Sequence, residues 1–283
     1  MRSTAPLGPP VSALLLGLLA CQPTEGPAPA EEPTVTLFSV VGFEPIIDGT
    51  SRGFDLDGAA TSAGEPTGCG RPDFTTPDGV PGVDNAFGPL LPVIASLGGE
   101  ALQSLVQNSV LSGELLLLVE LDDLDATPVG TCTTGRIVRG DGLPFLGTDG
   151  QILPFQTFSV HPDFPSAELT CAEPQSDGSL LVDGVELRLP LQVFDETIDL
   201  TMTGGRMSLT PTDTGWSGLV GGGVSVDELA ANVFGFDAIP EELETGVVAA
   251  ARLAADLNPD DTGVCQHLSV TLAFDAVPAF LTR

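Results

Sequence analysis

From Val182 to Val226 the chain reads VDGVELRLPLQVF, TIDLTMT, RMSLTPT and TGWSGLVGGGVSV, near-alternating apolar stretches separated by DG, DE and GG. No other part of the sequence constrains the fold as strongly. Strand side chains point alternately to opposite faces, so this pattern specifies strands with one apolar face. Turn dipeptides between such stretches make the neighbours antiparallel. Further strands are expected at 35–41 (VTLFSVV), 114–121 (ELLLLVEL) and 268–274 (LSVTLAF), with a short apolar piece, QTFSV, at 156–160. The run of aliphatics at 114–121 is long enough for a strand covered on both faces.

Helical spacing is confined to three places. Leu102, Leu105, Val106 and Val110 recur at threes and fours within 90–111, behind a break at Gly98–Gly99. A short helix follows at DELAANVF, with Asp227 as candidate N-cap. The best helix is Glu241–Leu257, where Leu243, Val247, Ala250, Ala254 and Leu257 share a face and Asn258–Pro259 ends it. Strands in runs without βαβ alternation predict an α+β fold. Its sheet should be mostly antiparallel, sandwich- or barrel-like, with two or three packed helices.

The N-terminus carries a different signal. Arg2 precedes a short apolar run, Val11–Ala20, which has the form of an export signal and is too short for a membrane-spanning helix. It ends in LLAC, which resembles a bacterial lipobox, and the resemblance implies lipidation of Cys21. By the same analogy, Gln22 rather than aspartate after the cysteine implies the outer membrane of a Gram-negative envelope. Residues 22–33 (QPTEGPAPAEEP) read as an extended tether. The expected organisation is therefore a signal at 1–20, a lipidated cysteine and tether at 21–33, and one folded domain at 34–283. With Cys21 set aside, Cys69, Cys132, Cys171 and Cys265 remain, an even number in an exported chain and hence two disulfides. Of three connectivities, Cys132–Cys171 with Cys69–Cys265 is preferred. No cysteine or histidine spacing suggests zinc.

Nine arginines, no lysine and 39 acidic residues give a formal charge of −30. Such a chain repels nucleic acid and anionic membrane surfaces, and its natural small partners are cations. Residues 54–85 (FDLDGAATSAGEPTGCGRPDFTTPDGVPGVDN) concentrate hard oxygen donors. They supply Asp55, Asp57, Asp73, Asp78, Asp84 and Asn85, with glycines that permit tight turns, as calcium loops require. The DG and DN elements around a cysteine resemble the calcium loops of thrombospondin type 3 repeats. The regular D-x-D-x-D-G rhythm is missing, however, and Cys69 precedes the second element. A second candidate, Asp256, Asn258, Asp260 and Thr262, fits positions 1, 3, 5 and 7 of an EF-hand loop, but Asp261 and His267 replace its glycine and its glutamate. Asp-Gly and Asn-Pro pairs also make ordinary turns, so both readings stay open at each stretch.

Catalytic patterns are weak. GWSG at 215–218 lacks a residue of the nucleophile elbow, and neither His161 nor His267 has a sequence partner suggesting a triad. The LLAC start, the acidic segment and the VCQHLSVTLAFDAVPA ending together resemble uncharacterised lipoproteins of myxobacteria. That resemblance implies an envelope location and one domain, but no activity. The leading expectation is a non-enzymatic envelope lipoprotein with a structural or adhesive role, calcium ordering its acidic loops, and protein or glycan contacts. The alternatives are a binding module for an apolar ligand, with the glycine-rich strand and the alanine-rich helix lining a pocket, and an exported hydrolase.

Overall fold

The computed structural model describes residues 33–65, 67–94, 100–124, 127–193, 196–233 and 241–282. The signal, Cys21, all of the tether but Pro33, and the Gly98–Gly99 break lie outside the described residues. Eight strands form the frame: β1 (Thr34–Phe43), β4 (Leu117–Leu121), β5 (Thr133–Asp141), β7 (Ala167–Pro174), β8 (Leu180–Val193), β9 (Glu196–Thr212), β10 (Gly215–Ser225) and β12 (Cys265–Leu281). Each pairs antiparallel with the next, and β12 pairs antiparallel with β1. The sheet therefore closes into an up-and-down barrel, resolving the expected α+β, mostly antiparallel fold as a barrel rather than a sandwich.

Four shorter strands sit outside it. A hairpin joins β2 (Phe74–Thr75) to β3 (Pro81–Val83), β6 (Gln156–Val160) runs parallel to the end of β12, and β11 (Leu257–Pro259) pairs with its start. The α-helices are α1 (Leu90–Ile94), α2 (Glu100–Leu111), α3 (Val226–Val233) and α4 (Glu241–Ala254). Their positions match the three expected helical places, the first of them divided in two. Asp227 is not the cap of α3: Ser225 Oγ accepts the Glu228 amide at 3.3 Å, which leaves Asp227 in the first turn.

Two expected turns are strand irregularities instead. Asp183–Gly184 lies inside β8 and Gly204–Gly205 inside β9, opposite one another where the ladder shifts register. Gly184 and Gly204 have φ of 71° and 59°, the left-handed region that glycine enters without steric cost. The extra residue in each strand is a β-bulge, and it resets which parity faces inward. Val182 and Leu187, and likewise Met202 and Met207, are thus all buried in one core despite opposite parity. On the other face of β9, Thr201, Thr203, Arg206, Ser208 and Thr210 are half-buried or exposed. On β9 the apolar face thus turns into the bore and the polar face outward.

The bore is filled. Phe38 stacks on Phe274 with ring centroids 3.9 Å apart, and Met202, Met207, Leu187 and Val220 are buried in the same cluster. Eight strands leave an interior that side chains alone can fill. Past Leu37, β1 parts from β4, and α2 completes its hydrogen bonding. Gln107 Oε1 accepts the Val41 amide at 3.0 Å, and its Nε2 donates to the Ser39 carbonyl at 3.0 Å. Gln103 does the same one turn earlier, with Phe43 N at 3.0 Å and Val41 O at 3.2 Å. Two amides at i and i+4 thus stand in for a missing strand.

Both disulfides take the preferred pairing, with Cα separations of 5.8 Å for Cys69–Cys265 and 4.8 Å for Cys132–Cys171. The first ties the acidic segment to the start of β12, and the second staples the β5–β7 ladder beside the Thr133–Ala172 pair.

Candidate metal centre

Residues 44–65 and 67–88 lie against β10 and β12 through Glu44, Phe54, Asn85 and Phe87. Phe54 lies on Gly221, where an added Cβ would come within 3.0 Å of its ring. Next to it the Asp84 amide donates to the Phe54 carbonyl at 2.9 Å. These contacts bring the two halves of the acidic segment together. Asp55, Asp57 and Asp84 each offer a carboxylate oxygen, and the three oxygens lie within 4.8 Å of one another. Asp73 lies outside that set of three but close enough for its carboxyl to interact with that of Asp84.

The loop amides hold these carboxylates. Asp84 Oδ2 accepts Leu56 N at 2.6 Å and Asp57 N at 3.3 Å. Asp55 Oδ1 accepts Gly58 N at 2.6 Å, Asp57 Oδ1 accepts Ala59 N at 2.8 Å and Asp73 Oδ2 accepts Thr61 N at 2.5 Å. Gly82, at φ 98°, lets the hairpin pass 3.6 Å from the Asp55 carboxyl carbon, measured from where its Cβ would stand.

The cluster is electrostatically unbalanced. Asp84 is 2% exposed, and burial pushes its pKa up to about 8, reinforced by the charges of Asp256, Asp57 and Asp73 and opposed by the Leu56 amide. Burial likewise raises Asp73, helped by Asp57 and Asp55 and opposed by the Thr61 amide. Among the described residues no arginine forms an ion pair with any of the four. Arg206 touches the segment without pairing to these carboxylates: its Nη1 donates to the Asp55 carbonyl oxygen at 3.2 Å, while its Nε pairs with Asp183. Buried carboxylates are stabilised by a cation or by a proton. A set made only of carboxylate oxygens suits a hard ion such as Ca²⁺ and offers nothing to a soft one.

Two expected ligands lie elsewhere. Asp78 is exposed in the β2–β3 turn, where Gly79 N donates to Thr76 O at 2.9 Å. Asn85 faces the barrel: its Nδ2 donates to Glu44 O and Ser51 Oγ, both at 2.9 Å, and its Oδ1 accepts Thr271 N at 3.3 Å. It is a staple between coat and wall.

The second candidate loop does not assemble. Asp256 is buried and accepts the amide and hydroxyl of Ser269, and burial raises its pKa to about 6. Asn258 Nδ2 meets His267 Nδ1 at 3.0 Å. Asp260 Oδ1 accepts Thr262 N, Thr262 Oγ1 and Val264 N within its own turn. A β11–β12 hairpin occupies the place where an EF-hand would need an open loop.

The elements expected to line an apolar pocket are packed. Gly222 meets Met202, Gly223 meets His267 and Leu257, and Ala251 of α4 and Ala255 just after it are buried with Val226 and Leu268. A cleft of about 400 Å³ lies instead where β7 and β8 separate, among Ile137, Phe164, Leu187, Arg188, Asp199 and Glu228. His161 Nδ1 accepts the Asp163 amide at 3.3 Å, and Ser217 lies within the β10 ladders. Comparison with protein-family models, with curated proteins and with solved structures returned no match.

Proposed function

We propose that this protein is a cell-envelope lipoprotein, anchored through Cys21 to the outer membrane. It would present a non-catalytic barrel whose acidic coat is ordered by Ca²⁺, in a structural or adhesive role. The observation that carries the calcium reading is the gathering of Asp55, Asp57, Asp73 and Asp84 around a buried carboxyl, with no arginine paired to them among the described residues. Those four residues would hold the ion, and the ion would supply the positive charge their surroundings lack. Neutralised in this way, residues 54–85 would be clamped onto β10 and β12 as a firm outer surface for a protein or glycan partner.

The lipobox at 18–21 and the tether support the anchor. No helix among the described residues is long and apolar enough to cross a membrane. Calorimetry of the purified protein in millimolar Ca²⁺ and then in chelator tests the metal. An unchanged melting temperature would remove it from the proposal. The mass of the N-terminal peptide tests the anchor separately, since lipidation adds acyl chains to Cys21.

A further inference from the structure

Loop 142–155 and the end of β12 hold large apolar side chains in water. Leu143 and Phe145 are each 74% exposed and Phe155 is 65% exposed, with Leu153 and Phe280 about half exposed. Single exposed apolar residues are ordinary, but a contiguous group marks an interaction surface. Four of them are neighbours, and Leu143 stands two residues before one of the four: the Phe155 and Phe280 rings lie 6.4 Å apart, and Leu153 N donates to Phe145 O at 3.0 Å. The loop that carries them is fixed. Gln156 accepts Phe145 N at 2.6 Å and donates to the carbonyls of Phe145 and Leu153, while Ile152 is buried beneath. Phe155 sits at φ 62°, a left-handed conformation that bulky residues seldom adopt, so the backbone here departs from its easy path.

Three observations indicate what covers this surface. The first described strand begins at Thr34, and the patch is beside it: Thr36 pairs with Pro278, whose carbonyl accepts Phe155 N at 2.6 Å. Residues 22–33 can span no more than about 40 Å even when fully extended, so an anchor at Cys21 keeps this region close to the bilayer. Between 142 and 155 the only charged residue is Asp149, among leucines and phenylalanines of the kind that enter the headgroup–acyl boundary. A second copy of the chain would bring another −30 of like charge.

We propose that Leu143, Phe145, Leu153, Phe155 and Phe280 insert into the surface of the bilayer that carries the lipid anchor. This second contact turns a tethered barrel into one held in a fixed orientation. It rests on the Cys21 anchor reading. Insertion is driven by apolar burial rather than by headgroup charge, so a zwitterionic membrane suffices.

The test uses the full lipidated chain with Phe145→Trp, reconstituted in phosphatidylcholine vesicles and compared with the unsubstituted chain, whose Trp216 supplies a constant background. Acyl chains brominated near the headgroup should quench the reporter, and the vesicles should shield it from aqueous iodide. Adding Phe155→Ser and Phe280→Ser should restore iodide quenching while the protein still floats with the vesicles and keeps its melting temperature. A lipidated, floating chain whose reporter stays open to iodide overturns the patch and spares the anchor. Shielding from iodide without quenching by brominated lipid also overturns it, because a protein then covers the surface. An unmodified Cys21 overturns both readings.

Discussion

Asp84 Oδ2 accepts the Leu56 amide at 2.6 Å across 28 residues of sequence, so a nearly inaccessible carboxylate ties the two ends of the acidic segment together. Asp84→Asn keeps an acceptor for that amide and removes the charge. For the natural protein, Ca²⁺ at a hundredfold excess over its Kd adds about 2.7 kcal/mol, or about 5–10 °C for a chain of this size. The variant should show no calcium shift, and in chelator above pH 8, where Asp84 is ionised, it should melt above the natural protein because repulsion within the cluster is relieved. Scanning calorimetry on both proteins measures this. A full calcium shift in the variant would place the ion elsewhere.

The same carboxyls make stability depend on pH. Asp84 and Asp256 have folded pKa values near 8 and 6, above the ordinary aspartate value, so between that value and 8 the folded state binds more protons than the unfolded chain. Stability is then greatest below the ordinary value, falls as pH rises through 6 and 8, and levels off above. In chelator, the denaturation midpoint should therefore drop between about pH 4 and pH 8. Calcium should flatten the profile, because the ion replaces the proton. A midpoint in chelator that rises over this range would mean that Asp84 is ionised at no cost.

Which parts of this were readable in the sequence follows from how local each determinant is. The alternation at 182–226 gave strands, but not that Asp183–Gly184 and Gly204–Gly205 would face each other as bulges, since a bulge depends on the partner strand. β5 and β7 carry no clear alternation, because glycine and charge interrupt TTGRIVRGD, and charge and proline interrupt AELTCAEP. Gln103 and Gln107 were invisible as strand substitutes, because only the parting of β1 from β4 gives their amides a role. In the acidic stretch composition pointed to a cluster, and Asp55, Asp57, Asp73 and Asp84 form one. Asp78 and Asn85 carry the same chemistry, and only the path of the hairpin decides that one faces solvent and the other Thr271.

The two disulfides should differ in worth. Cys69–Cys265 closes a separation of 196 residues and Cys132–Cys171 one of 39. Loop-closure entropy assigns about 5 kcal/mol to the first and about 4 kcal/mol to the second. Replacing the Cys69–Cys265 pair by serines should lower the denaturant midpoint more than replacing Cys132 and Cys171. It should also weaken the calcium response, because Cys69 anchors the segment that carries Asp73. Equal losses, with calcium response intact, would mean that the coat is held by its packing alone.

Adjacent glycines of β10 separate the coat from the core. An added Cβ at Gly221 points outward, 3.0 Å from the Phe54 ring and 3.3 Å from Thr271 Oγ1, whereas at Gly222 it points inward onto Met202. Neither glycine is in the left-handed region, so what a side chain meets is crowding rather than backbone strain. Overpacking of this kind costs about 1–3 kcal/mol. Gly221→Val should lift Phe54, loosen its bridge to Asp84, open residues 54–85 to limited proteolysis and diminish the calcium shift while the barrel stays folded. Gly222→Ala should lower global stability and leave the calcium shift in place. The contrast is informative because one residue of sequence changes only the face that is disturbed. Were Gly221→Val to leave both proteolysis and calcium response unchanged, Phe54 would not be what seats the acidic segment on the barrel.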